Sequence, residues 1–99
     1  MMASSFRSAN FLIDSRMADA AQGDPDAYFE LGIAYSSGSG GVDVDLVQAH
    51  KWFNLAAVSG CERGQECRAE IADDMTAREI AEAQRQARSW LQSTVQRAA

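Results

Sequence analysis

Residues 27–60, AYFELGIAYSSGSGGVDVDLVQAHKWFNLAAVSG, hold two stretches of helical periodicity separated by a run of glycine and serine, and a helical hairpin satisfies both at once. In the first stretch Ala27, Leu31 and Tyr35 recur every four residues, with Tyr28 and Gly32 beside them, which makes one stripe on a helix. Asp24 can accept the unpaired N–H groups of a first turn, and Pro25 follows at the position that needs no donor, so the helix is predicted to start there. Glycines at 38, 40 and 41 can take the positive φ that a helix end and a tight turn demand, so residues 36–41 reverse the chain. The second arm opens at Asp45, which with Gln48 fits a reciprocal capping box. Ala49, Trp52, Phe53, Ala56 and Ala57 then form a face of two large rings among small residues, a surface suited to interdigitating helices, and Gly60 stops it. Gly32 stands out, because a glycine inside a helix costs about 1 kcal/mol against alanine. Its use is predicted to be the close approach of another backbone.

These residues carry a resemblance. The pattern A-x-x-x-L-G-x-x-Y-x-x-G-x-G, followed by V-x-x-D-x-x-x-A-x-x-W-x-x-x-A-A-x-x-G, resembles the Sel-one-like repeat (SLR), a tetratricopeptide-like helical hairpin. Ala27, Leu31, Gly32, Tyr35, Gly38, Gly40, Val42, Asp45, Ala49, Trp52, Ala56, Ala57 and Gly60 all fall in register with it. Gly41 is an added glycine where the family usually has one before Val42, and it lengthens the turn without disturbing either helix. The match covers about a third of the chain, and GDPDA at 23–27 resembles the junction between successive repeats.

A lone hairpin leaves apolar surface on both sides, which neighbouring helices must cover. Residues 7–22, with Phe11, Leu12, Ser15, Met17 and Ala18, are predicted to supply an N-terminal covering helix. After the hairpin at 24–60, residues 61–99 supply the C-terminal helices, the first from about Glu62 to Asp73 on Cys67, Ile71 and Ala72. Thr76 with Glu79 fits a second capping box, and Met75 with Ile80 a hydrophobic staple. Ile80, Ala83, Ala87, Trp90 or Leu91 and Val95 continue at spacings of three and four, which predicts a final helix of about 20 residues. The segment MTAREIAEAQRQARSW, less specifically, resembles the helix that often closes bacterial proteins with such repeats. The expected fold is all-α: a short α-α superhelix of tetratricopeptide-like type with capping helices at both ends, in one domain of 99 residues.

Charge limits the partners. With 14 acids against 9 Lys and Arg, the chain carries −5 and lacks the clustered bases that a phosphate backbone needs, so nucleic acid is not expected. No run of 18 apolar residues is present and the first 20 lack the core of a signal peptide, so no membrane partner is expected and a cytoplasmic setting is the default.

Most chemical candidates fail on spacing. His50, the one histidine, sits beside Lys51 with no nucleophile or carboxylate signature around it, and is read as a partly exposed surface residue. Cys61 and Cys67 are six apart, which matches neither a C-x-x-C site nor an easy disulfide, and are read as reduced thiols with Cys67 buried. The loop Ser37-Gly38-Ser39-Gly40-Gly41 lacks the Lys and Ser/Thr of a P-loop, and Asp43 and Asp45 would repel an anion at its exit. Asp73 and Asp74 end a helix in solvent. Trp52 and Tyr35 are read as core, with Tyr28 and Phe53 undecided. Arg78, Glu82, Arg85 and Arg88 form a solvated face in which Arg78 and Glu82 are spaced for a salt bridge.

No catalytic residue, metal ligand or cofactor is therefore expected. The resemblance implies a non-catalytic adaptor that presents a helical surface to a protein or peptide. The first arm, where Tyr28, Phe29 and Ala34 alternate with Glu30, and the end of the last helix at Trp90 and Leu91 are the expected contacts. The alternatives are a self-associating domain, a homodimer through that last helix, and a small metal- or thiol-dependent regulator or enzyme using His50, Cys61 and Cys67.

Overall fold

The computed structural model describes the backbone of residues 2–98 and the side chains of residues 12–94. It is all-α. The order is α1 (Met2–Ala21), α2 (Pro25–Ser37), α3 (Leu46–Val58), α4 (Glu62–Ala72) and α5 (Ala77–Ala98), with no strand among the described residues.

The helix ends follow local chemistry. Asp24 caps α2 by accepting from the Asp26 N–H at 2.9 Å, and Pro25 occupies the first turn. Gly38 ends that helix in the left-handed region at φ 74°, where its N–H reaches the Ala34 carbonyl. Thr76 and Glu79 close a complete capping box: the Glu79 N–H donates to Thr76 Oγ1 at 3.1 Å, and the Thr76 N–H donates to Glu79 Oε1 at 2.8 Å. The box at α3 closes on one side only. Asp45 Oδ1 accepts the Gln48 N–H at 3.1 Å, but the Asp45 N–H is already taken by the Tyr35 carbonyl at 2.9 Å. The Gln48 amide is thereby released to bond Gln86 Oε1 at 3.0 Å, which ties α3 to α5.

The central helix is α3. Helices α2, α4 and α5 all pack on it, while α1 rests on α2. A helix covered on several sides must be apolar around most of its girth, and α3 buries Ala49, His50, Trp52, Phe53, Leu55 and Ala56. Leu55, absent from the predicted face, is fully buried, whereas the predicted Ala57 is half-buried. Around Trp52 the core is aromatic. Tyr28 of α2 stacks on it with centroids 6.0 Å apart, Trp90 of α5 meets it edge-on at 4.9 Å, and the Trp90 indole donates to the Tyr28 hydroxyl at 3.4 Å. One residue from each of three helices thus fixes their mutual position, with offset and edge contacts that add to the burial. Tyr28 and Phe53 both belong to the core.

Gly32 is tightly enclosed by a ring and not by a backbone: a Cβ there would lie 2.4 Å from the nearest Phe53 ring carbon. The backbone approach occurs instead at Gly64, where a Cβ would stand 2.9 Å from Ala56 Cβ and 3.2 Å from the Phe53 carbonyl oxygen. At the N-terminus, α1 turns Ile13, Met17 and Ala20 towards the core, while Leu12 is 51% exposed and Ala18 is exposed. That stripe runs at spacings of four and three and differs from the one the sequence suggested; Phe11, like Val95 of α5, lies outside the described side chains.

Candidate functional site

A cleft of about 580 Å³ runs between α1 and α2 and is closed at one end by the start of α4. Helix α1 contributes Leu12, Ile13 and Arg16, helix α2 contributes Phe29, Glu30, Ile33 and Ala34, and Arg63 comes from α4. Ser39 and Gly40 of the interhelical turn form the rest of its wall. The turn is held against α1 at Gly40, where a Cβ would come within 3.2 Å of Ile13 Cδ1.

Two ion-bearing contacts frame this apolar floor. Arg16 on α1 pairs with Glu30 on α2 across the cleft, with both side chains partly in solvent. The Arg63 guanidinium sits 5.0 Å from the centroid of the Phe29 ring, which itself leans on Phe53 at 5.7 Å. Phe29 is therefore half-buried and braced, with one buried ring behind it and one cation over it. Leu12 at 51% and Ile33 at 39% leave apolar surface open to water along the cleft.

Among the contact residues expected from sequence, Phe29 lines this cleft together with Ala34 and Glu30. Tyr28 does not. It is 2% exposed, because the adjacent position on the helix points inward to Trp52, and its ring is unavailable to a partner. Trp90 and Leu91 lie on α5 and line no part of the cleft. Trp90 is half-buried against Trp52 and Tyr28, whereas Leu91 is 37% exposed. Arg16, Ile33 and Arg63 gave no sequence signal, since nothing local announces that the first turn of α4 reaches α2.

The chemistry-bearing residues are placed differently from their predicted surroundings. His50 is not on the surface: it is 3% exposed, with Nδ1 buried and unpartnered. It sits one turn from Asn54, whose side-chain carbonyl accepts from Arg68 of α4, so α4 covers the face on which both lie. Cys61 caps α4, its sulfur accepting the Gly64 N–H at 3.3 Å. Both cysteines are free thiols, and Cys67 is half-buried and not buried as expected. Burial, then Glu70, raises the Cys67 pKa, which disfavours the thiolate a nucleophile needs. No group of three His, Cys, Asp or Glu side chains that could hold a metal occurs among the described residues. On α5, Glu82 pairs with Arg85 and not with Arg78. Hydrogen bonds from Arg85 and then Gln86 lower its pKa to about 2.

Burial, helped by the positive charge of Arg68, lowers the His50 pKa below its ordinary value. Above about pH 6.5 the imidazole is neutral in folded and unfolded chains alike; as pH falls through that value the unfolded chain takes up a proton that the folded one refuses, and stability falls until the lower folded pKa is passed. The melting temperature should therefore drop as the pH falls below about 6.5. With one histidine in the chain the assignment is clean. His50→Gln should flatten that drop, and an equal drop in the variant would remove His50 as its cause.

No family model, curated protein or solved structure matches the chain. No helix among the described residues is long and apolar enough to cross a membrane.

Proposed function

We propose that this chain is a non-catalytic protein–protein interaction module of the Sel-one-like type, and that a peptide segment of its partner docks in the cleft between α1 and α2. The observation that carries this reading is the braced Phe29 ring, which stands in an open cleft with exposed Leu12 and Ile33 beside it. An apolar anchor in a preformed groove with an ionic rim is the arrangement in which a few side chains dominate binding. The SLR-like pattern supports it from the sequence, since repeats of the kind it resembles act as adaptor scaffolds that present a helical surface. Two free thiols fit the cytoplasm, where disulfides are rare.

A photo-crosslinking side chain at Ile33, compared with one at Val58, tests this in the native host. Both positions are exposed, at 39% and 64%, but only Ile33 lines the cleft. A discrete adduct from position 33 that is missing from position 58 and disappears with Phe29→Asp is the expected result. Equal adducts from both positions, or an adduct indifferent to Phe29→Asp, would remove the cleft as the docking surface.

A further inference from the structure

A second cleft, of about 270 Å³, lies between α3 and α5, and its wall differs in kind from the first. It is lined by Lys51, Arg85, Gln86, Ser89, Trp90 and Ser93, with no carboxylate among them. The Lys51 ammonium stands 4.5 Å from the centroid of Trp52 and 5.2 Å from that of Trp90. Among the described residues it forms no ion pair. Ring faces attract a cation but accept none of its three N–H donors in a full hydrogen bond. The charge is thus held beside apolar rings without a counter-ion, and burial lowers its pKa for that reason.

From this geometry we propose that the Lys51 cleft is a binding site for a phosphate group. The site supplies one fixed positive charge and, from Ser89 and Ser93 one turn apart on α5, two hydroxyls that can rotate to donate. An ammonium acts on phosphate as a point charge, and neutral hydroxyls complete the shell. Among the described residues of the wall, Lys51 carries the one uncompensated charge, and Arg85 at the rim stands already paired with Glu82. Glu82 itself does not line the cleft, and its carboxylate oxygens are already engaged by Arg85 and Gln86. The net charge of −5 opposes an anion only weakly here, since exposed charges beyond about 8 Å are screened at physiological salt. The volume lies just below the usual range for small-molecule sites, so the group is inorganic phosphate or the phosphate of a small ester such as phosphoserine. This site is independent of the α1–α2 cleft and of whatever docks there.

The chain holds two tryptophans, and both rings touch Lys51, so intrinsic fluorescence reports directly on the site. Inorganic phosphate and free phosphoserine are titrated separately into the whole chain, with sodium chloride holding the ionic strength constant. The expected result is a saturable change in emission that chloride alone does not produce. Lys51→Met keeps the aliphatic stem over the rings and should weaken binding about tenfold or more, while Lys51→Arg restores it. Ser89→Ala with Ser93→Ala, both at exposed positions, should weaken it with the circular dichroism unchanged, which keeps the test decisive if Lys51→Met does not fold. Tighter binding of phosphoserine than of phosphate identifies an esterified group as the ligand, and equal binding identifies the free ion. A linear response, a response equal with chloride, or one retained in both the lysine and the serine variants overturns the proposal.

Discussion

Gly32→Ala should lower the melting temperature by about 10 °C, although alanine is the better helix former by about 1 kcal/mol. If glycine stood at this position by accident, the substitution would raise stability. The new Cβ would lie 2.4 Å from one carbon of the Phe53 ring and 2.5 Å from another. The ring cannot step aside, because it is 1% exposed and already meets Phe29. Forcing an extra carbon into a filled core typically costs about 1–3 kcal/mol, and this contact is closer than ordinary overpacking. A smaller partner should relieve it: Phe53→Leu should be less damaging in the Gly32→Ala background than alone. Thermal melts of the two single variants and the double variant give the coupling. Additive losses would mean that the close contact is not what constrains position 32.

Gly64→Leu should be at least as damaging, because the atoms in its way are mostly backbone. A Cβ there would meet Ala56 Cβ at 2.9 Å, the Phe53 carbonyl oxygen at 3.2 Å and the Ala57 nitrogen at 3.3 Å. Neither a rotamer change nor a small shift clears that path, so α4 as a whole must move off α3, with a loss of about 3 kcal/mol or more. Amide exchange should rise across residues 62–72 before it rises in α2. Protection that stays native in α4 while the global melt is unchanged would show that the two helices are less tightly apposed than these distances state.

Both glycines illustrate what a sequence can and cannot reveal about this chain. Gly32 was conspicuous because it interrupts a strong helical stripe, but whether a ring or a backbone fills the space above it depends on how α3 rolls, which no local pattern specifies. Gly64 lies in a short polar helix whose apolar spacing is weak, so its role as a contact point had nothing to mark it. The caps at Asp24, Asp45 and Thr76 were legible because capping needs only side chains two or three residues away. The half-closed box at Asp45 was not, since the competing acceptor, the Tyr35 carbonyl, comes from the preceding helix. The position of His50 is hidden from the sequence for a related reason. Its burial depends on α4 covering a third side of α3, and the periodicity of α3 alone suggested one broad face. Of the cleft, Phe29, Glu30 and Ala34 were readable on one helix, whereas Leu12, Arg16 and Arg63 join them through tertiary arrangement. Lys51 gives no signal in the sequence, because a lysine beside a histidine on a helix reads as solvated surface until the rings of Trp52 and Trp90 are placed around it.

The attachment of α1 has a thermodynamic consequence for the cleft it walls. Helices α2, α3, α4 and α5 are joined through α3 and its aromatic contacts, but α1 rests chiefly on α2. Undocking α1 would expose Ile13, Met17 and Ala20 while leaving the Tyr28, Trp52 and Trp90 contacts in place. Such a subglobal opening costs less than unfolding the whole domain. On the proposed reading, a peptide held between α1 and α2 would bind only the docked form, and its apparent affinity would be the intrinsic one multiplied by the docked fraction. The Arg16 to Glu30 pair, which spans the two walls, acts on that fraction directly. Salt that screens the pair would weaken capture of even an uncharged peptide.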